Sequence, residues 1–74
     1  MKIEMRLFAT LRENRQKVIS MEVPEGTDAA TLIKTLNIPP NEIAILLVNG
    51  RNAKSNHILQ EGDTVSLFPP IGGG

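Results

Sequence analysis

The sequence has no cysteine, tryptophan or tyrosine, and its two aromatic residues are Phe8 and Phe68. The lack of cysteine excludes disulfides, thiolate zinc sites and a thiol nucleophile within the chain. Seventy-four residues correspond to one domain, at a size where a single core is only marginally sufficient. We therefore expect stability to come from tight packing of Ile, Leu, Val and Met side chains.

A net charge is also absent, since eight Lys and Arg residues balance eight Asp and Glu residues. The chain therefore has no net field that would favour nucleic acid or an anionic membrane. No apolar run approaches the roughly 20 residues that span a bilayer. Lys2, Glu4 and Arg6 interrupt the apolar residues at the N-terminus, unlike a signal peptide. The sequence predicts a cytoplasmic protein with neither nucleic acid nor membrane as a partner.

Catalytic and metal-binding residue sets are missing too. His57 is the single histidine, and one histidine without further ligands at suitable spacing does not make a metal site. The sequence contains no Ser-His-Asp set, phosphate loop or dinucleotide fingerprint. Glu61 and Asp63 flank Gly62 and fit ordinary turn residues better than an acid pair. We expect no metal site and no catalytic side chain within the chain.

Two alternating segments near the N-terminus predict a β-hairpin. Residues 2–7 alternate between charged and apolar side chains, and residues 17–23 alternate again. A period of two is typical of half-buried strands, and a short polar connection joins such strands in antiparallel order. Between them, residues 10–14 predict one helical or 3₁₀ turn, with Thr10 as its cap and Leu11 as its buried anchor.

The middle of the chain predicts one helix. Asp28 offers an N-cap whose carboxylate lies near the positive end of the helix dipole. The helix is expected to run to about Leu36 and to stop before Pro39, because the residue before a proline is pushed out of the α region. Its apolar face consists of Ala29, Leu32, Ile33 and Leu36.

Three further strands are predicted in the second half. Residues 44–48 form a continuous apolar run, which favours a central strand covered on both faces. The following Asn-Gly pair, residues 49–50, is a strong hairpin signal, with residues 51–53 as a short return strand. Residues 64–68 alternate as a last strand and place Phe68 on the face opposite to its buried side chains.

This element order predicts an α+β fold, with one main helix on one face of a mixed sheet of about five strands. The order is that of the ubiquitin-like β-grasp, in which the last strand is central and delivers the C-terminus to solvent. We expect a single domain over residues 1–74, with residues 69–74 as a flexible C-terminal tail. Two prolines stiffen the start of this tail, and three glycines leave its end thin and conformationally free.

Three stretches resemble the MoaD/ThiS family of small ubiquitin-like sulfur carriers. They are Leu-Phe-Ala-Thr-Leu-Arg-Glu at 7–13, Glu-Gly-Asp-Thr-Val at 61–65 and Phe-Pro-Pro-Ile-Gly-Gly at 68–73. The likeness covers essentially the whole chain. The Phe-Pro-Pro ending is more similar to the small subunit of molybdopterin synthase than to the thiamine sulfur carrier.

The resemblance implies that the C-terminal carboxylate is the reactive group and that the chain is a carrier, not an enzyme. In this family an E1-like enzyme uses ATP to adenylate the terminal glycine, and a sulfur donor protein then converts it to a thiocarboxylate. The carrier itself binds no cofactor. The resemblance further implies that the sulfur goes to molybdopterin, with the large subunit of molybdopterin synthase as a partner. Thiamine and sulfur amino-acid synthesis remain alternative routes.

Specific residues follow from the resemblance. Gly74 is expected to carry the thiocarboxylate, with Gly73 as the alternative if Gly74 is trimmed, and Gly72 extends the glycine tip. Apolar groups near a tail mark a docking surface. We expect the partner-binding residues to be Phe8, Phe68, Pro69, Pro70 and Ile71, with Arg6, Arg12 and Arg51 as candidates for charges at the rim.

Two other classes of function stay open at the level of sequence. A ubiquitin-like modifier would use the same terminus to form isopeptide bonds with lysines of other proteins. A plain β-grasp interaction module would not need its terminal glycines at all.

Overall fold

Five strands form one mixed sheet in the computed structural model, which describes residues 1–70. The strands are β1 (Lys2–Leu7), β2 (Val18–Glu22), β3 (Ile45–Val48), β4 (Arg51–Asn52) and β5 (Thr64–Phe68), and the helix α1 spans Ala29–Thr35. Two 3₁₀ turns, Ala9–Arg12 and Pro40–Glu42, connect them. Within residues 1–70, no helix is long and apolar enough to cross a membrane.

The sheet order is β2-β1-β5-β3-β4. Strand β5 lies parallel to β1 and antiparallel to β3, while β2 and β4 pair antiparallel at the two edges. The predicted mixed sheet and the central position of the last strand are therefore confirmed. Because β5 is bonded on both sides, the register of its two neighbours fixes where the strand ends.

The core lies between one face of the sheet and α1. Every second side chain along β1 and β5 points to this inner face, where it is buried from solvent. The buried apolar side chains are Ile3, Met5, Leu7, Leu11, Ala29, Leu32, Ile33, Ile38, Val48, Leu59, Val65 and Leu67. Tight burial of these aliphatic groups supplies the main stabilising term of a chain that has no disulfide.

Helix α1 begins and ends where the sequence predicts. Asp28 is its N-cap, and its Oδ1 accepts a hydrogen bond from the backbone N–H of Thr31 at 2.8 Å. The last helical turn ends at Leu36, and the next residue, Asn37, takes a left-handed conformation with φ of 58°. Asparagine tolerates that conformation better than most residues, so Asn37 turns the chain towards β3.

Two predictions about local structure are wrong. Strand β3 lies inside the sheet between β5 and β4, as predicted, but it is not covered on both faces, because Ile45 remains 41% exposed on the outer face. Thr10 does not cap the first 3₁₀ turn, whose N-cap position is Phe8 without a side-chain bond. Leu11 is buried, as expected of the anchor.

The turn around Gly62 is more than an ordinary surface turn. The carboxylate of Asp63 is buried and accepts hydrogen bonds from Asn49 Nδ2 and from the backbone N–H of Gln60, both at 2.8 Å. Asn49 Oδ1 in turn accepts from the backbone N–H of Thr64 at 2.9 Å. These bonds join the β3–β4 hairpin to the first residue of β5.

Candidate functional site

Phe8 and Phe68 form a stacked aromatic pair where the chain leaves the sheet. Their ring centroids are 4.2 Å apart and their planes differ by 10°. The parallel register of β1 and β5 places the buried Leu7 beside the buried Leu67. The residues that follow them, Phe8 and Phe68, therefore point to the outer face. The backbone N–H of Phe8 donates to Leu67 O at 3.2 Å, and this bond keeps the backbones of the two residues close enough for their rings to stack.

Arg12 extends this pair. Its guanidinium carbon lies 5.5 Å from the centroid of the Phe8 ring, within the range of a cation–π contact. Its Nε donates to Leu7 O at 2.8 Å, which fixes the head group beside the stack. We call Arg12, Phe8 and Phe68 the aromatic stack.

The first 3₁₀ turn returns Arg12 to the stack. Ala9 opens this turn with φ of 54°, a left-handed conformation that costs an alanine free energy. Burial of Leu11 holds the turn down on the core. A strained non-glycine residue next to Phe8 shows that packing determines the backbone path here.

Ile45 widens the apolar surface across a third strand. It lies opposite Phe68 in the β3–β5 register, and the backbone N–H of Ala44 donates to Phe68 O at 2.8 Å. We call Phe8, Phe68 and Ile45 the outer-face strip. The sequence did not indicate Ile45 as a site residue, because a continuous apolar run does not show which of its side chains remain exposed.

The other predicted partner-binding residues lie at or beyond the end of β5. Pro69 is half-buried and Pro70 is exposed directly after Phe68. Ile71, Gly72, Gly73 and Gly74 lie outside the described residues, so the prediction of a reactive carboxylate at Gly74 or Gly73, and that of a flexible tail over 69–74, remain predictions.

The three predicted rim charges differ in position. Arg12 belongs to the aromatic stack. Arg6 lies on the outer face and pairs with Glu4 through Nε and Oε2 at 2.6 Å. Arg51 pairs with Val48, at the other end of β3 from Ile45. Arg12 is therefore the cation that the fold brings to the strip.

The strip suits binding to another protein better than catalysis. Together with Arg12 beside it, the strip presents aromatic and aliphatic surface next to one arginine, and aromatic residues and arginine are enriched in the centres of protein interfaces. His57 is exposed, and in the described part of the chain no three His, Asp or Glu side chains are grouped to hold a metal ion. The strip also surrounds the point where β5 ends, so a partner bound to it would lie next to Pro69 and Pro70.

The sheet order, the helix α1 packed on one face and the central position of β5 define a ubiquitin-like β-grasp protein. The chain belongs to the ThiS family, whose model matches residues 5–74. No curated protein sequence matches the chain.

Three solved structures show the same fold. A Pyrococcus furiosus protein proposed to be molybdopterin converting factor subunit 1 is 25% identical, with a TM-score of 0.78 over 96% of this chain and 99% of that one. SAMP1 of Haloferax volcanii, a small archaeal modifier protein, is 22% identical, with a TM-score of 0.82 over the whole of both chains. A chain from the complex of subunits 1 and 2 of the Helicobacter pylori molybdopterin-converting factor is 22% identical, with a TM-score of 0.68 and full coverage of both.

Proposed function

We propose that this protein is a sulfur carrier for molybdopterin biosynthesis, whose terminal Gly74 is adenylated and then converted to a thiocarboxylate. The carrying observation is that β5 is central and ends at the outer-face strip, where the Leu67 and Phe68 carbonyls accept hydrogen bonds from the backbone N–H groups of Phe8 and Ala44 on its two sides. A partner that binds the strip therefore lies at a fixed position relative to the end of β5, and residues 69–74 follow directly after that point. Membership of the ThiS family and the likeness to the Pyrococcus protein support this proposal.

The chemistry requires activation because a carboxylate is a poor electrophile. An oxygen of the Gly74 carboxylate attacks the α-phosphate of ATP, and pyrophosphate leaves. A sulfur donor at the oxidation level of sulfide then attacks the acyl-adenylate, the bond to AMP breaks, and the product is a C-terminal thiocarboxylate. ATP belongs to the E1-like enzyme, and the carrier supplies only the terminus and its docking surface.

Glycine suits the terminal positions for a steric reason. A residue without a side chain passes through a narrow channel and accepts backbone dihedrals that other residues avoid. The two prolines before Ile71 reduce the entropy that is lost when the tail is held in such a channel. Three terminal glycines after a stiff lead are therefore expected of a chain end that must enter an enzyme.

The outer-face strip is the proposed docking surface for the E1-like enzyme and for the large subunit of molybdopterin synthase. Phe8, Phe68 and Ile45 would enter an apolar surface of the partner, and Arg12 would face one of its carboxylates. The Helicobacter structure, in which subunit 1 of the converting factor lies in a complex with subunit 2, supports the second of these two proposed partners.

The test is mass spectrometry of the protein after incubation with ATP, a sulfur donor and the E1-like enzyme from the same genome. Replacement of oxygen by sulfur should raise the mass by about 16 Da. A variant without Gly73 and Gly74 is the negative control, and a variant without Gly74 alone shows whether Gly73 can carry the sulfur. No mass change with any E1-like enzyme from that genome would contradict the proposal.

Two further experiments separate a modifier from a carrier and identify the pathway. A modifier would become linked to lysines of other proteins through an isopeptide bond, which peptide mapping detects as a glycine remnant on the lysine. Transfer of sulfur from the purified thiocarboxylate to a molybdopterin precursor, but not to a thiazole or an amino-acid precursor, would establish the pathway.

A further inference from the structure

The turn between β3 and β4 contains a chemically labile pair, Asn49-Gly50, which the proposed function does not use. Glycine has no side chain to hinder the approach of its backbone nitrogen to the preceding side-chain amide. In the reaction that such a pair undergoes, the Gly50 nitrogen attacks Asn49 Cγ and the Cγ–Nδ2 bond breaks. The amide group leaves as ammonia and takes the proton of the Gly50 N–H. Water then opens the succinimide ring at either carbonyl, which leaves aspartate or isoaspartate at position 49.

Three hydrogen bonds restrain Asn49 against this ring closure. Its Nδ2 donates to Asp63 Oδ1 at 2.8 Å, and its Oδ1 accepts from the backbone N–H of Thr64 at 2.9 Å. Its own backbone N–H donates to Thr64 O at 2.8 Å. We call Asn49, Asp63 and Thr64 the hairpin joint. Because both polar atoms of the amide are bonded within this joint, Asn49 Cγ can turn onto the Gly50 nitrogen only after those bonds open.

The backbone of the turn adds a second restraint. Asn49 and Gly50 have φ of 53° and 81°, and positive φ at both central residues is typical of a type I′ hairpin turn. Closure of a planar five-membered ring requires rotation about the Cα–C bond of Asn49, which takes the backbone out of this turn. The pairing of Val48 with Arg51 across the turn opposes that rotation.

Solvent reaches the hairpin joint from one side. Asn49 is exposed, and it lines a cavity of about 540 Å³ together with Asp63, Gln60, Arg51 and His57. The water that opens the ring is therefore available as soon as the joint opens. The joint itself, rather than burial, is what restrains the amide.

We propose that Asn49 is a deamidation site whose rate is set by opening of the hairpin joint. In the closed joint the amide is held by Asp63 and Thr64, so the reaction proceeds from the small fraction of molecules in which the joint is open. The rate of modification thus reports how often the β3–β4 hairpin separates from the start of β5.

The product cannot rebuild the joint. A carboxylate at position 49 has no donor for Asp63 Oδ1, and it places a second negative charge beside a buried carboxylate. Within residues 1–70 the ion pairs involve neither Asp63 nor its cavity neighbours Arg51 and His57. Isoaspartate also adds a carbon atom to the backbone of the turn. Deamidation therefore weakens the attachment of the hairpin to β5 irreversibly.

Peptide mapping by mass spectrometry tests the dependence on opening. Replacement of NH₂ by OH raises the mass of the peptide by about 1 Da, and chromatography separates the aspartate and isoaspartate forms. At one pH and temperature, Asn49 should react at least about tenfold more slowly in the folded chain than in the same chain unfolded in guanidinium chloride. Asn52 is exposed in the same hairpin but is followed by alanine, so it should stay unmodified over this period. Equal rates in the folded and unfolded chain, or equal modification of Asn52, would overturn the proposal.

A substitution in the joint separates its opening from unfolding of the whole chain. Asp63→Ala removes the acceptor of the Asn49 amide and should raise the rate in the folded chain by about tenfold. Met21→Ala is the control for a general loss of stability, because Met21 is half-buried on β2, at the opposite edge of the sheet. When guanidinium chloride brings the two variants to the same free energy of unfolding, Asp63→Ala should still react faster. Equal rates there would contradict control by the joint and would mean that Asn49 reacts from the unfolded chain.

The variant Asn49→Asp reproduces the aspartate product and tests its effect on the fold. It should lower the melting temperature by about 5 °C or more. Asn52→Asp, the same change at an exposed residue of the same hairpin, should have little effect. Equal melting temperatures of the two variants would refute the weakening of the joint, while the deamidation rates would still decide whether opening controls the reaction.

Discussion

At the scale of single residues, Glu61 and Asp63 show how two similar acids acquire different roles. They flank Gly62 in the same turn, yet Asp63 is buried and Glu61 is exposed. The Asp63 carboxylate accepts from Asn49 Nδ2 and Gln60 N, each at 2.8 Å. The Glu61 carboxylate accepts from Lys2 N at 3.0 Å in an exposed position.

We predict that Asp63→Ala lowers the free energy of unfolding by about 1–3 kcal/mol, because two donors at the hairpin lose their acceptor. Glu61→Ala should cost at most about 0.5 kcal/mol, as expected of an exposed side chain. Urea unfolding of both variants measures the difference. Equal losses would mean that the buried network does not stabilise the hairpin.

The sequence could not distinguish these two acids. Turn chemistry identifies the Gly62 turn, which is confirmed by its φ of 83°, but it does not show which neighbour points inwards. That depends on contact with Asn49, 14 residues away. The two phenylalanines, the only aromatic residues of the sequence, could be predicted as site residues because of their rarity and their positions at the ends of two predicted strands.

At the scale of elements, α1 depends on its cap and its packing. A helix of seven residues is too short to be stable alone in water. Asp28 stabilises its first turn. A hydrogen bond from the Thr31 side chain, which has the largest effect, and one from the Thr31 backbone lower the pKa of the Asp28 carboxyl below 3.8.

This pKa direction predicts a pH-dependent contribution to stability. A lowered folded-state pKa means that the ionised cap stabilises the fold above the unfolded value of 3.8, and that the contribution is lost as the pH falls through the folded pKa. Asp28→Asn keeps an oxygen acceptor but does not titrate. The wild type should therefore be more stable than Asp28→Asn at neutral pH, and the difference should shrink below about pH 4.

Thermal unfolding of the two proteins across this range measures the effect. Glu25→Gln, at an exposed carboxylate near the same helix end, controls for the general loss of a negative charge. A difference between wild type and Asp28→Asn that stays constant down to acid pH would rule out the proposed role of the ionised cap.

Element bounds were the most predictable part of the fold. The alternation of residues 2–7 gave β1 with its observed ends, and the Asp28 cap and the prolines after Ile38 bounded α1. Strand β3 was misjudged for a physical reason. An aliphatic run looks the same whether both faces are covered or one face is kept apolar for a partner. The exposure of Ile45 could therefore not be predicted without knowledge of the sheet order.

At the scale of the whole molecule, the sheet has two faces with different tasks. The inner face packs on α1 and holds the core. The outer face carries charged and polar side chains near β2, and the apolar strip of Phe8, Phe68 and Ile45 where β5 ends. Residues 8, 45 and 68 meet only because strands distant in sequence pair in one sheet, so local sequence patterns suggested the two phenylalanines and not their neighbour.

This arrangement predicts that a charge placed within the strip weakens partner binding without unfolding the protein. Ile45 is 41% exposed, so Ile45→Lys keeps its stem on the surface and its ammonium in water. Docking on an apolar partner surface would then bury that charge, and we expect the KM for adenylation by the E1-like enzyme to rise by about tenfold or more.

The matched control is Val18→Lys. Val18 is 45% exposed on the edge strand β2, where it pairs with Arg6, and the same apolar-to-lysine change there lies two strands away from Phe68. Both variants should unfold at temperatures close to that of the wild type, while only Ile45→Lys impairs adenylation. If Val18→Lys raised the KM as much, the enzyme would contact the β2 side of the sheet, and the docking surface would have to be reassigned away from the strip.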